Sequence, residues 1–184
     1  MKFFIYLLLA ISLNSYATED HDDHGHGHDH HEEKEKKSLD AHEHGVSILN
    51  LVQDMKKIAF EFEMPGFDVV GFEYKAKKKE DIKKVKKALN LLSEAKNMLL
   101  INSEAECKKE ESSAKVVNEG SHSEFISEYI LSCNKISLIK KIKIIYFDTF
   151  PLSKKLKINL VANNQKLSQV FDINNNTINV EGYF

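Results

Sequence analysis

Six of the nine histidines in this 184-residue chain crowd into residues 21–31: His21, His24, His26, His28, His30 and His31, interleaved with Asp20, Asp22, Asp23 and Asp29. Neutral imidazole is the commonest protein ligand for zinc, copper and nickel ions, and neighbouring carboxylates add hard oxygen donors and negative potential. The composition predicts a metal-binding tract, with a pH-sensing or merely solubilising tail as the competing reading. Imidazole sites favour copper on intrinsic affinity, so selectivity must come from geometry and availability. The chain has four Met, one of them the start residue, and no Met cluster. A soft Cu(I) site is therefore disfavoured, which leaves Zn2+ first and Ni2+ or Cu2+ behind it.

The other three histidines lie nearer to the apolar part of the chain. His42-Glu43-His44-Gly45 joins the tract to the first strand-like segment, and in an extended chain residues two apart leave on the same face. His42 and His44 therefore have the spacing of a ligand pair. His122 opens a later strand-like segment with Glu124 on its own face, whereas Phe125, Tyr129, Leu131 and Cys133 line the opposite face as the expected core side. His122 and Glu124 are thus expected to point away from the core. Together the four residues would make a zinc ligand set if the fold brings them together. Taken alone, His122 reads better as a surface histidine.

Charge divides the chain in the same place. Residues 18–44 hold ten acids, three Lys and eight His, a net of −7, whereas residues 45–184 hold 18 acids and 22 Lys, a net of +4. The acidic part has almost no apolar residue except Leu39, so it buries too little surface to offset its ordering entropy and is expected to be disordered without metal. Every one of the 26 basic residues is Lys. Without Arg, bidentate reading of guanine edges and fork-type clamping of phosphate are poorly supported, and nucleic acid is excluded as the expected partner.

Residues 1–17 read as a secretory signal: Lys2 gives the positive start, Phe3 to Leu13 the apolar run, and Ser15-Tyr16-Ala17 the small residues of a cleavage site after Ala17. The run is much shorter than the roughly 20 residues that span a bilayer. No Cys follows it to accept a lipid. The expectation is a periplasmic or otherwise exported protein with no membrane span after cleavage, organised as signal 1–17, His/Asp-rich tail 18–41 and one domain 42–184.

Within that domain, alternation of Ile58, Phe60, Phe62 and Met64 with Lys57, Ala59, Glu61 and Glu63 predicts a strand, paired with Val46–Gln53 across Asp54-Met55-Lys56. Pro65-Gly66 ends it, and Val69–Tyr74 reads as a short extended or irregular stretch. Ile82, Val85, Leu89, Leu92 and Leu99 fall at helical spacing, which predicts one amphipathic helix over 80–101 with a solvated lysine face. Cys107–Val117 and His122–Cys133 read as a hairpin. Mirror pairing of its two cysteines centres it on Gly120, and directly opposed residues lie within disulfide range, so a Cys107–Cys133 bridge is expected. Ile142–Phe147, Leu156–Ala162, Leu167–Phe171 and Thr177–Val180 complete the strands, and residues 135–141 are an alternative helix. The expected fold class is α+β: an antiparallel sheet of roughly seven or eight strands with one main amphipathic helix.

The ordered series of His/Asp tract, H-x-H-G-V at 42–46, M-P-G-F-D-V-V-G-F-E at 64–73, amphipathic helix, and H-S-E-F at 122–125 between two Cys resembles the zinc-regulated periplasmic ZrgA-like family. The likeness covers essentially the whole chain after the signal, and is strongest around Gly71-Phe72-Glu73. It implies a periplasmic zinc-binding protein that assists zinc uptake alongside an envelope import system, with His42, His44, Glu73, His122 and Glu124 as positions for ordered ligands. Where relatives often carry a His after the G-F-E block, this chain has Tyr74.

Other functions fit the residues less well. A zinc hydrolase lacks its motif, since neither His31-Glu32 nor His42-Glu43 is followed by the second His of H-E-x-x-H, and no G-x-S-x-G occurs. An enzyme is therefore not expected. The substrate-binding component of a zinc importer generally needs two lobes and a longer chain. An envelope interaction module with a metal-buffering tail stays open, and the lysine-rich helix face fits an acidic partner or anionic lipid without selecting one.

Overall fold

The computed structural model describes residues 43–184. The signal, the tract histidines His21 to His31, and His42 lie outside the described residues. Alternating burial builds the first pair of strands, β1 (Val46–Asp54) and β2 (Lys57–Pro65). Leu49, Leu51, Ile58, Phe60, Phe62 and Met64 all face one core and are nearly inaccessible. Beyond β2 the chain runs through α1 (Gly66–Val70), α2 (Lys79–Leu92), β3 (Leu99–Leu100), β4 (Cys107–Glu119), β5 (His122–Cys133), β6 (Lys141–Ile144), α3 (Tyr146–Thr149), β7 (Lys155–Ala162), β8 (Gln165–Phe171) and β9 (Thr177–Asn179).

The strands form two sheets, a six-stranded one in the order β4-β5-β2-β1-β7-β8 and a three-stranded one in the order β3-β6-β9. This corrects the expected α+β class with an antiparallel sheet and one main helix. Strands make up 47% of the described residues and helical turns 23%, so the fold is mostly β, and the helical part is divided among short pieces. The large sheet is not wholly antiparallel either, because β1 pairs with β7 in parallel over Val46–Gln53 and Lys155–Ala162.

The expected helix over 80–101 stops at Leu92. Its buried side is Asp81, Ala88 and Leu92, with Val85 and Leu89 partly buried, whereas Ile82 is exposed. After Ser93 a 3-10 turn at Ala95–Asn97 leads into β3, which pairs Leu99 with Ile144 of β6. The apolar residues that continue the helical spacing are thus taken by the small sheet. Tyr129 of β5 donates its phenol hydrogen to the Leu92 carbonyl, tying the end of α2 to the large sheet. Burial pushes the Tyr129 phenol up to about 12. Two other segments also differ from expectation: Val69 and Val70 belong to α1, and Tyr146–Phe147 belong to α3 rather than to a strand.

The β4–β5 hairpin forms as expected, with Cys107 opposite Cys133 and a disulfide between them. A bulge at Glu110 shifts the register, so Glu119 opposes His122 and the turn falls on Gly120-Ser121. Closing a 26-residue separation is worth about 3 kcal/mol in the chain-entropy model. The Cys107→Ser, Cys133→Ser double variant is expected to lose about that much in urea unfolding. A loss under about 1 kcal/mol would show that the hairpin and the sheet, rather than the bridge, set its stability. The β7–β8 turn carries Asn163 at φ 47° and Asn164 at φ 61°, the pair of positive values that a two-residue hairpin needs and Asn tolerates.

Candidate metal-ligand cluster

Strand order brings three chain segments to one end of the large sheet. β2 is antiparallel to both neighbours, so its final residues lie beside the start of β1 on one side and of β5 on the other. Ile48 pairs with Glu63, and Pro65 with Glu124. His44, two residues before β1, and His122, the first residue of β5, are therefore placed by the sheet itself. α1 leaves the end of β2 between them and carries the chain to Glu73.

At this end Glu73 sits between the two imidazoles. Its Oε1 lies 3.0 Å from His44 Nε2 and its Oε2 lies 2.7 Å from His122 Nδ1. The carboxylate can only accept, so each ring donates an N–H. The Glu73 side chain is 14% exposed, against 56% for His44 and 63% for His122. The carboxylate is thus the anchored member and the imidazoles are the reachable ones. Burial works to raise the Glu73 pKa, but the hydrogen bonds from His122 and then His44, with their charges, outweigh it and hold the carboxyl below its ordinary value. A carboxyl depressed in this way stabilises the folded state above its unfolded-state pKa, and the stabilisation is lost as pH falls through the folded-state value.

The 64–73 segment positions these groups residue by residue. Phe67 lies flat under His44, with ring centroids 4.9 Å apart and planes 12° from parallel. Asp68 is 1% exposed and accepts from the Gly45 backbone N–H at 2.7 Å and the Ser47 hydroxyl at 3.0 Å. Ser47 in turn shares a 2.7 Å hydrogen bond with the buried Tyr146 hydroxyl. This network fixes the turn at Gly45, whose φ of +84° favours glycine, and with it the backbone that carries His44. Gly71, at φ +83°, ends α1 and turns the chain toward Glu73.

Gly66, the first residue of α1, packs against β5 at Ser123. A Cβ there would meet Ser123 Oγ at 2.1 Å, the Phe72 carbonyl at 2.8 Å and the Ser123 carbonyl at 3.0 Å. Two of these are backbone atoms beside His122 and Glu73, so relief requires moving the cluster. Gly66→Ala is expected to cost about 2 kcal/mol of stability, read by chemical denaturation. An unchanged denaturation midpoint would contradict this packing.

Several expectations about site residues meet the geometry differently. The chain is not extended through the His44 position, because the Val46 N–H bonds the Glu43 carbonyl at 3.0 Å in a turn. His122 points outward as expected, whereas Glu124 is only 3% exposed instead of facing solvent. Tyr74 turns away from the cluster, stacking on Phe72 with ring centroids 4.6 Å apart and donating to Asp81 Oδ2 at 3.1 Å. That hydrogen bond raises the Tyr74 phenol above its ordinary value. Sequence reasoning missed Phe67 and Asp68. The available signal was an acid set directly between Phe67 and Val69-Val70, which needs a buried partner.

Among the described residues, no group of three or more His, Cys, Asp or Glu is arranged around a point that would hold a metal ion. His44 and His122 each hydrogen-bond Glu73 instead, through different carboxylate oxygens. No described helix is long and apolar enough to cross a membrane. The chain matches the family model described as ZrgA family zinc uptake protein over residues 41–180. No curated protein matches it.

Proposed function

We propose, from the premise that this chain belongs to the ZrgA family of zinc uptake proteins, that it captures Zn2+ in the periplasm at His44, Glu73 and His122. The observation that supports this reading is the carboxylate held between two exposed imidazoles, at 3.0 and 2.7 Å. In this arrangement the rings meet different carboxylate oxygens and do not surround a common point, so binding requires the two exposed imidazoles to turn from Glu73 toward one ion. Two imidazole nitrogens and one carboxylate oxygen then make a three-ligand zinc set with a fourth position open. His42 is two residues from His44 and is the proposed fourth donor, with water as the substitute. Each ring must give up the N–H it now donates, by tautomer change or proton release, so zinc replaces two hydrogen bonds with three coordinate bonds. His21, His24, His26, His28, His30 and His31 form a second store that feeds the cluster. An envelope zinc-import component then takes the ion. The disulfide is compatible with export to an oxidising compartment.

Protonated imidazole cannot coordinate, and in this cluster it would also grip Glu73 more tightly as an ion pair. Zinc affinity is therefore expected to fall below about pH 6, where imidazoles generally take up a proton. Calorimetric titrations at pH 7 and pH 5 check this, and equal affinities would sink an imidazole-based site.

The test of the reading is zinc calorimetry on the signal-free chain, on a variant with the six tract histidines changed to Ala, and on that variant with His44→Ala and His122→Ala added. One tight site that survives the first change and disappears with the second is the expected result. Binding lost entirely with the tract histidines would mean that the domain is a scaffold and the tail a metal buffer.

A further inference from the structure

The sequence between Glu73 and the middle of α2 carries eight lysines, at positions 75, 77, 78, 79, 83, 84, 86 and 87, against two acids. One of those acids, Asp81, is buried and holds the Tyr74 hydroxyl. The lysine ion pairs of the described residues fall elsewhere, at Lys57, Lys109, Lys135 and Lys140. The positive charge on this face is thus directed at solvent.

The same face contains a groove of about 260 Å³ between α1, α2 and α3. Val69, Val70, Leu91 and Phe150 give it an apolar lining, and Lys84 and Lys87 stand at its rim. Lys84 also reaches over the Phe72 ring, with Nζ 5.9 Å from the centroid. Phe72 directly precedes Glu73, and Val69 and Val70 follow Phe67 and Asp68. One ten-residue run, 64–73, therefore lines the groove on one side and builds the histidine–carboxylate cluster on the other.

We propose that this groove is a docking site for an acidic polypeptide segment of a partner protein, one that places an apolar side chain in the groove and carboxylates against Lys84, Lys87 and their neighbours. Charge complementarity selects an anionic partner. The concave shape selects a polypeptide over a lipid surface, because membrane-binding faces push apolar side chains outward into the bilayer, whereas here Phe150 is buried and Val69, Val70 and Leu91 are half-buried beside the exposed Lys84 and Lys87. The chain's own acidic stretch, residues 18–44, is nearly devoid of apolar side chains and lacks what the groove lining requires. A partner docked here would contact the same 64–73 run that carries Glu73, but docking itself does not depend on the zinc reading.

The test uses the signal-free chain and a fluorescent peptide with Leu and Phe flanked on both sides by glutamates, read by polarisation. Lys84→Glu with Lys87→Glu is expected to weaken binding by at least about tenfold, and so is replacement of the peptide's Leu and Phe by Ser. The same charge reversal at Lys166, on the exposed edge strand β8, is expected to leave it within about twofold. Three outcomes overturn the proposal: no binding of the peptide, equal losses in the groove and Lys166 variants, or binding indifferent to the peptide's apolar residues. Sedimentation with phosphatidylglycerol vesicles is the companion measurement. Vesicle binding that requires Lys84 and Lys87 while the peptide fails to bind would assign the face to a membrane instead.

Discussion

Replacing Glu73 by Ala, in the background where the six tract histidines are Ala, is expected to lower zinc affinity by at least about a hundredfold. Loss of a partner that only orients a ligand already costs about 10- to 100-fold, and a coordinating carboxylate contributes more. Glu73 supplies an oxygen donor, the negative charge that offsets the ion, and the common acceptor that holds both rings in place. Glu73→Gln separates these roles, because it keeps the shape and one oxygen but removes the charge. Its expected loss is smaller, about tenfold. Competition with a chelator of known affinity gives both values. An affinity unchanged in Glu73→Ala would mean that the carboxylate only pairs with the imidazoles and does not bind metal.

Asp68→Ala is expected to destabilise the fold by about 3 kcal/mol, since it leaves the buried Gly45 N–H without its acceptor and forces the Ser47 hydroxyl to turn its hydrogen toward Tyr146. Both groups lie in a packed interior beside Tyr146, whose phenol burial pushes well above its ordinary range. The effect extends to the metal cluster. Gly45 is the neighbour of His44, so releasing its N–H frees the backbone that aims the imidazole at Glu73. Asp68→Asn retains one carbonyl oxygen for the Gly45 N–H and is expected to recover more than half of the lost stability. Urea unfolding of the two variants, each with and without zinc, reports both parts. Equal stability of Asp68→Ala and the parent would contradict the network.

The parts of this molecule that were legible from sequence are those in which local pattern and tertiary structure agree. β2 shows period-two alternation, and Ile58, Phe60, Phe62 and Met64, the residues it set on one face, are the buried ones; β1 pairs with it across the short turn as read. The β4–β5 hairpin was legible because the cysteines fix its ends and Gly120 its turn. Its bulge was not, since an extra residue at Glu110 leaves no mark on a stretch exposed along most of its length. The end of α2 was hidden by Leu99, which continues a helical period but pairs with Ile144 of a distant strand. Pairing of β1 with β7 joins positions more than a hundred residues apart, and neither segment encodes its partner.

The cluster was legible in part for the same reason. His44 and His122 stood out by residue type, but only the order β5-β2-β1 brings them to one end of the sheet. Glu73 was reached only through the family resemblance, because an isolated acid in a loop before a lysine run carries no periodic signal. α1, five residues long, is too short for a helical period to register, and Gly66 and Asp68 hold it in place through contacts with Ser123 and Gly45.

Anomalous diffraction at the zinc edge locates the ion relative to His44, Glu73 and His122. Crystals of the signal-free protein grown with one equivalent of zinc are expected to show a peak within about 2.0–2.2 Å of His44 Nε2, His122 Nδ1 and one Glu73 oxygen. A zinc peak elsewhere, with the two histidine–carboxylate hydrogen bonds intact, would rule out this site and leave Glu73 as a structural tie between the segments that open β1 and β5.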